Sequence, residues 1–259
     1  MRTLLVLAIL LLPQPVLAWS PEGHQVVAAI AARELTPKAR TQVASLLGGE
    51  AMLVLDSSWA DEVRQQRPDT ATWHYVNIEL GSRGYDAARD CPGGNCVVTQ
   101  IERDQRILVD PRSAREAKAE ALRFLIHFVA DVHQPLHVSD RGDQGGNLVL
   151  ARWHGKRISL HQIWDNEVVA VQGRDPARIA AQIDSGFSSA QKVQMAAGSA
   201  AAWANESFAV AEREIYSGLP NSNRINLPDD YARKKSGVAR LQLARAGIRL
   251  AAILNRVFN

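Results

Sequence analysis

The chain has 259 residues, of which 46% are hydrophobic and 22% charged, and its formal net charge is +3. This size suits one large domain, or at most two small ones, and supplies enough apolar side chains for a substantial core. The sequence pI near 9.0 favours anionic partners only weakly. The charge balance alone therefore does not establish nucleic-acid binding.

Residues 1–18 have the composition of a secretory signal peptide. Arg2 precedes an apolar block, and the segment ends in VLA, which suits signal peptidase. We expect cleavage after Ala18, a functional domain of residues 19–259 that begins at Trp19, and a secreted or periplasmic protein. No later segment approaches the roughly 18 to 20 uninterrupted apolar residues that span a bilayer. We therefore expect no membrane partner.

Helical spacing dominates the rest of the chain, so we predict an all-α, mainly helical single domain. Three segments begin with good capping residues: Thr36 before a proline, Ser57 and Asp229. Apolar residues at intervals of three and four predict helices over 22–34, 36–47, 57–66, 113–133, 160–171, 175–183, 188–217 and 229–258.

Evidence for strands is confined to two places. Residues 147–159 alternate weakly around His154-Gly155, which predicts one short β-hairpin, and residues 75–80 are predicted to be extended. The Gly- and Asp-rich stretches 81–95 and 139–146 are predicted to be long loops. Because they lie between segments with chemically active side chains, we expect them to be functional.

The two cysteines, Cys91 and Cys96, lie in the string DCPGGNC. In an exported chain such a pair is expected to form a small disulfide loop. A zinc site built on two thiolates is the alternative, but no histidine is close in sequence.

The run HFVADVHQPLH concentrates ionisable side chains in an apolar, helical context. His127 and Asp131 are four residues apart, so they lie on one face of a helix. Pro135 disfavours helix at the residue before it and should turn the chain, which can bring His137 back towards them. Buried ionisable groups need strong partners, and the pattern favours a divalent metal.

A second pair, His161 and Asp165, repeats the same four-residue spacing. A single pair of this kind is more often an ion pair than a metal site, but two pairs favour metal binding. Taken alone, Asp61 could be a charge near a helix N-terminus, and His74 could be a core histidine. His and Asp donors without thiolate favour zinc.

Several separate motifs make the chain resemble a known family. In order and spacing, WSPEGH, WADEVR, HYVN, HFVADVHQPLH, GGN and HQIWDN resemble the trinuclear-zinc single-strand nucleases, the nuclease S-one and nuclease P-one type. The resemblance extends from Trp19 to the final helix. It implies the mainly helical fold that these enzymes share with zinc-dependent phospholipase C.

The resemblance implies three Zn²⁺ ions. Asp61, His74, His127 and Asp131 match the ligands of the first, and His137, His161 and Asp165 match those of the second. Trp19, His24 and Asp131 match the ligands of the third, so Asp131 would bridge two ions. Trp19 would use its free amino group and carbonyl oxygen, which requires cleavage of the signal peptide.

The resemblance also implies a function: hydrolysis of single-stranded DNA and RNA to 5′-phosphate products, with 3′-nucleotidase activity left open. Asp61 and Arg64 are the candidate catalytic residues, and Tyr75, Asn77 and Asn166 match substrate-binding positions. Stacking on an aromatic ring requires unpaired bases, which accounts for the single-strand preference. Asn77 stands where the fungal enzymes have Asp, so base preference is open.

Two alternatives accompany this interpretation. One is a zinc-dependent phospholipase C, in which the late His pair typically ends in Glu rather than Asp165. The other is a non-catalytic exported zinc-binding protein, although structural zinc sites are normally closed and isolated. We expect a monomer with single-stranded nucleic acid and nucleotides as substrates.

Overall fold

A computed structural model describes residues 19–259, and helices dominate it, which confirms the predicted fold class. The predicted signal peptide lies outside the described residues. Short 3-10 turns cover Asp56–Ser58, Pro68–His74, Pro92–Gly94 and Pro135–His137, and wider π turns cover Ile163–Glu167 and Ala211–Tyr216. The helices are α1 (Pro21–Glu34), α2 (Pro37–Leu47), α3 (Met52–Leu55), α4 (Trp59–Gln66), α5 (Ala87–Asp90), α6 (Val97–Val109), α7 (Arg115–Asp131), α8 (Leu160–Gln162), α9 (Val168–Ala170), α10 (Pro176–Asp184), α11 (Ser189–Met195), α12 (Ala200–Val210) and α13 (Tyr231–Phe258).

The long C-terminal helix α13 forms one side of the core, as its apolar spacing predicts. It packs along α1 and also contacts α2, α7 and α9. Its glycine at position 247 lies in the contact with α1: a Cβ atom there would lie 2.5 Å from the Cβ of Ile30. The backbones of α1 and α13 therefore approach as closely as a glycine allows.

Helix α7 carries the metal-binding run, and its second half is buried from Ala121 onward except at Arg123. It packs against α6, which the sequence analysis missed. Val97, Ile101 and Leu108 are buried on α6, so the spacing that would have predicted this helix is present. Helices α2, α4 and α13 also contact α7, so the helix that carries the predicted ligands lies inside the bundle.

The predicted hairpin is confirmed as β1 (Leu150–Trp153) and β2 (Lys156–Ser159), which pair antiparallel. Its turn residues, His154 and Gly155, both have positive φ (47° and 73°), as a two-residue turn of the type favoured in hairpins requires. A third strand that the sequence did not predict, β3 (Arg224–Asn226), pairs parallel with β1. The sheet order is β2-β1-β3.

Other predicted boundaries need correction. The helix predicted over 188–217 is interrupted between α11 and α12, where Gly198 has φ 104° and Ser199 caps α12. Ser57 is not a helix cap: its hydroxyl donates to the carbonyl of Val54 (2.7 Å). Asp229 does not cap α13 either, because that helix begins two residues later.

Several local predictions are confirmed. The Thr36 hydroxyl accepts a hydrogen bond from the amide of Ala39 (3.2 Å), with a proline following it in α2. The predicted loop 81–95 contains only the short helix α5 and one 3-10 turn. Cys91 and Cys96 form a disulfide, so the thiolate zinc alternative is wrong.

Within residues 19–259, none of the helices combines the length and the apolar character needed to cross a bilayer.

The close approach of α1 and α13 can be tested with two glycines of one helix. Gly247→Ala should lower the free energy of unfolding by about 1–3 kcal/mol, because the added methyl group overpacks the contact with Ile30. Gly237→Ala should raise it by about 0.5–1 kcal/mol, because alanine favours helix and nothing lies within 4 Å of a Cβ there. Urea unfolding of both variants provides the measurement. A stabilised Gly247→Ala variant would contradict the tight packing.

Candidate metal centre

The side chains predicted as metal ligands lie in three adjacent buried groups. Within each group, one potential ligand atom per residue lies within 4.8 Å of the others. The groups are His24 with His127 and Asp131, Asp61 with His74 and His127, and His137 with His161 and Asp165.

Asp131, the last residue of α7, lies at the centre of this cluster. Its Oδ2 atom is 3.1 Å from His74 Nδ1 and 3.3 Å from His127 Nε2, and its Oδ1 atom is 3.5 Å from His24 Nε2. The two carboxylate oxygens therefore face different histidines. A carboxylate that bridges two cations needs this arrangement.

Different elements deliver these side chains to one place. His24 comes from α1, Asp61 from the first turn of α4, and His74 from the end of the Pro68–His74 turn. The rings of His24 and His127 stack at 3.8 Å with an 8° angle between their planes. His74 turns its Nδ1 atom towards the carboxylates, 3.8 Å from Asp61 Oδ1.

Backbone carbonyls orient three of the histidines. Nδ1 of His127 lies 2.8 Å from the carbonyl oxygen of Ser57, that of His137 lies 2.9 Å from the carbonyl of His74, and that of His161 lies 2.6 Å from the carbonyl of Gly145. An Nδ1–H that donates to a carbonyl leaves the Nε2 lone pair free for a metal. The three carbonyls therefore favour the tautomer that a metal ligand requires.

The GGN motif explains how a carbonyl reaches His161. Gly145 and Gly146 both have positive φ (59° and 80°). A Cβ atom on Gly145 would collide with the carbonyl oxygen of Leu136, so only glycine fits there. The loop 139–146 therefore passes close enough to the ligand cluster to orient one of its histidines.

The turn after α7 behaves as Pro135 predicts. The Pro135–His137 turn brings His137 back, with its Nδ1 3.9 Å from Asp131 Oδ1. Gln134, which the sequence analysis did not select, donates from Nε2 to Asp165 Oδ1 (2.6 Å) and accepts from the amide of Leu136 (2.7 Å). Its position between the predicted ligands Asp131 and His137 is the sequence feature that could have identified it.

Burial dominates the electrostatics of the cluster. It raises the pKa of Asp165 well above the usual range of a carboxyl, and it lowers the pKa values of His24, His74 and His137. Burial also opposes charge on His127, but Asp131 and Asp61 outweigh it and raise the pKa of that imidazole to about 9.

Unpaired polar atoms test whether the cluster fits metal ions. Among the described residues, buried atoms without a hydrogen-bond partner include both ring nitrogens of His24, Nε2 of His127, Oδ1 of Asp61 and Oδ1 of Asp131. Such atoms cost about 1–3 kcal/mol each when left unsatisfied. Their convergence in a set of imidazoles and carboxylates fits divalent cations of the zinc type.

Trp19 is fully buried beside the cluster. Its indole Nε1–H donates to the carbonyl of Ala130, the residue before Asp131 (3.1 Å), and the amide of Ser20 donates to the carbonyl of Asp165 (2.9 Å). The start of the described chain is therefore tied to two ligand-bearing segments. The ligand role of Trp19 stays a prediction.

A cleft of about 300 Å³ opens beside the group formed by His137, His161 and Asp165. Arg64 reaches it from α4, with Nη2 3.5 Å from Asp61 Oδ1, and its side chain is only 11% exposed. The lining residues are Arg64, His74, Tyr75, Asn77, Leu136, His137, Gln144, Asn147 and His161. The cleft thus combines a buried cation, an aromatic ring and several amides.

Asn166, the third predicted substrate contact, directly follows the predicted ligand Asp165, and its role as a substrate contact stays a prediction. It belongs to the Ile163–Glu167 turn, donates from Nδ2 to the carbonyl of Gln162 (2.9 Å), and is not among the residues that line the cleft. Gln144, Asn147 and Leu136 line it instead. They come from the loop 139–146 and its flanks, whose path cannot be derived from helical spacing.

The fold and site define a mainly helical metalloprotein with three His/Asp groups around one carboxylate, next to a cleft with a buried arginine. The sequence model that describes the S1/P1 nuclease family matches residues 19–259. The chain therefore belongs to that family, a family of metal-dependent phosphodiester hydrolases.

Individual relatives agree with this assignment. The chain is 31% identical to Endonuclease 4 of Arabidopsis thaliana, over 94% of this chain and 90% of that protein. It is 28% identical to Nuclease P1 of Penicillium citrinum, over 92% and 97%. It is 26% identical to Nuclease S1 of Aspergillus oryzae, over 96% and 95%. The nuclease interpretation is thus confirmed over the phospholipase C and the non-catalytic alternatives.

The role of Gln134 can be tested by metal retention. Gln134→Ala removes the donor to Asp165, so metal affinity at the His137, His161 and Asp165 group should fall about 10–100-fold. The measurement is zinc retained per chain during dialysis against increasing chelator. Gln172→Ala is the control, because that amide donates to the carbonyl of Ser236. Equal retention in both variants would show that Gln134 does not support the site.

Proposed function

We propose that the chain is an exported zinc-dependent endonuclease that hydrolyses single-stranded DNA and RNA to products with 5′ phosphates, and that it also acts on 3′-nucleotides. The observation that carries this proposal is the position of Asp131 between histidines of two ligand groups, while His137 and His161 of the remaining group line the same cleft as Arg64 and Tyr75. A phosphodiester bound there would meet ligand side chains, a cation and an aromatic ring together.

The proposal assigns three zinc ions to these side chains and to Trp19. Asp61, His74, His127 and Asp131 would hold one, and His137, His161 and Asp165 a second. Trp19, His24 and Asp131 would hold the third. When bound, the ions supply Lewis acidity, which activates water and neutralises phosphate charge.

The protein's own residues supply the remaining requirements. Arg64 is nearly buried, and its Nη2 atom has no hydrogen-bond partner among the described residues. A guanidinium held in this way can donate to phosphate oxygens as negative charge increases in the transition state. Asp61, 3.5 Å away, orients the arginine and is also a predicted metal ligand.

The bond changes follow from the proposed products. The oxygen of water adds to phosphorus while the bond from phosphorus to O3′ breaks. One fragment keeps a 5′ phosphate, and the other receives a proton on its leaving oxygen and ends in a 3′ hydroxyl. Atoms and charge balance without any oxidant or reductant.

Selection for single strands follows from the cleft wall. Tyr75 directly follows His74, and both line the cleft, so a base stacked on the phenol ring would lie beside the ligand groups. A base must be unpaired to stack in this way. Asn77 lies on the same wall, and its amide can both donate to and accept from a base edge.

Export completes the proposal. The disulfide Cys91–Cys96 suits an oxidising compartment. The proposed zinc ligation by the α-amino group of Trp19 needs a chain that starts at that residue. The signal peptide over 1–18 and a monomeric state are parts of the same proposal.

The catalytic role of Arg64 predicts a loss of turnover without a loss of metal. Arg64→Ala should lower kcat on single-stranded RNA by about 10²–10³-fold, because one donor to the transition state is removed. Zinc content should stay at the wild-type value. Arg67→Ala is the control, because Arg67 pairs with Glu120 (2.9 Å) and does not line the cleft. Loss of zinc from the Arg64 variant would make its role structural.

The role of Trp19 predicts sensitivity to a single added residue. A chain that starts at Trp19 should bind one more zinc ion than the same chain with Met before Trp19, since the extension converts the chelating amine into an amide. Nuclease activity should fall with that ion. Zinc quantification and nuclease assays on both proteins provide the test. Equal zinc content and activity would contradict the amino-terminal ligand.

A further inference from the structure

The outward face of the three-stranded sheet carries a group of arginines that the metal centre does not use. Arg152 on β1, Arg157 on β2 and Arg224 on β3 are all exposed, and we name them together the arginine face. With Leu150, Ile225 and Asn226 they line a groove of about 180 Å³.

The strand register puts these side chains on one side of the sheet. Arg152 is directly opposite Arg157 in the antiparallel pair, while Leu150 is paired with Arg224 in the parallel pair. Alternate residues of a strand point to opposite faces. In β1 and β3 the intervening residues, Ala151 and Ile225, are buried. The arginines therefore face outward together.

This arrangement is unfavourable without an anion. Like charges directly opposite each other on neighbouring strands destabilise a sheet, and Arg152 faces Arg157 in this way. Among the described residues, none of the three guanidinium groups forms an ion pair. Asp229, near the hairpin turn, pairs with His154 (3.6 Å) instead. Three guanidinium groups without an ion pair around one groove match a ligand with several negative charges, and the carboxylate of Asp229 lines only a neighbouring groove with Arg152.

The arginine face adjoins the catalytic cleft along the chain. Asn147 lines the cleft, and β1 starts three residues later. Because five residues of extended chain span at most about 18 Å, the backbone of Arg152 lies within that distance of Asn147. A strand of nucleic acid that leaves the cleft beside Asn147 would cover this distance within a few nucleotides.

We propose that the arginine face binds the phosphate backbone of the single strand on one side of the scissile bond, so that the enzyme grips long substrates outside its cleft. This inference rests on the proposed nuclease function. Guanidinium groups contact phosphates and also stack on unpaired bases. Leu150, 42% exposed among the arginines, adds apolar contact surface for bases or sugars.

The test compares substrates of different length. The triple variant Arg152→Gln, Arg157→Gln, Arg224→Gln should raise KM for a long single-stranded RNA roughly ten-fold at low salt. KM and kcat for a dinucleotide, which cannot reach the face, should stay unchanged. The dependence of binding on salt should weaken, with the slope of log K against log salt falling by about 2 for three lost single-strand contacts.

A matched control removes the same charge elsewhere. Arg106→Gln, Arg174→Gln and Arg178→Gln remove three exposed arginines from α6, from α10 and from the turn before it, and none of them forms an ion pair among the described residues. This variant should keep the wild-type KM for both substrates. Zinc content and the melting temperature verify that both triple variants are folded.

The outcomes separate the inference from the proposed function. If the wild-type enzyme cleaves neither substrate, the proposed function fails. If it cleaves both, and the arginine-face variant keeps the wild-type KM for long RNA or the control variant loses it equally, this inference alone is wrong. If the variant keeps that KM but no longer binds anionic phospholipid vesicles, the face serves a membrane surface instead, which also overturns the inference.

Discussion

The carboxylate of Asp131 is the group on which the arrangement of this protein depends. It is fully buried at the end of α7 with histidines on both sides. Burial alone would raise its pKa, but the charge and hydrogen bond of His127, together with His74, hold the pKa well below the usual range. A buried carboxylate that remains ionised needs positive partners. Here α1, α4 and the Pro68–His74 turn converge on Asp131 and supply side chains that can bind metal cations beside it.

The predicted histidine ligands are also held in fixed orientations. His127, His137 and His161 are each held at Nδ1 by a backbone carbonyl, so their orientation is set by the path of the chain rather than by other side chains. Ligands fixed in this way lose little conformational entropy when they bind a metal. Gln134 adds a side-chain contact of the same kind to Asp165. The metal centre is thus largely preorganised before an ion arrives.

Sequence reasoning succeeded where a feature depends on neighbours in the chain. The pairs His127 with Asp131 and His161 with Asp165 lie four residues apart, and helical geometry alone brings each pair together. The Thr36 cap and the His154-Gly155 turn are equally local. Gly198, by contrast, interrupts a long alanine-rich stretch that the helical spacing alone predicts to continue.

Long-range features could not be predicted in this way. The carbonyl that orients His127 belongs to Ser57, 70 positions earlier, and its location depends on how α4 packs against α7. Strand β3 has three residues, and its parallel partner lies far away in the sequence. Helix α6 differs from these features, because the spacing of Val97, Ile101 and Leu108 is local and is sufficient to predict a helix.

The register of the hairpin determines both which residues face outward on the sheet and how the helical turn that carries His161 begins. Ser159, the last residue of β2, caps α8 by accepting from the amide of Gln162 (3.0 Å), which fixes the helical turn that carries His161. A slip of one residue along β2 would reverse the two faces of that strand. Arg157 would then point inward, Ile158 would point to solvent, and the cap of α8 would be lost. The register that exposes the arginines is therefore the same one that holds His161 beside His137 and Asp165. A change in the register of β2 would disturb both the arginine face and this ligand group.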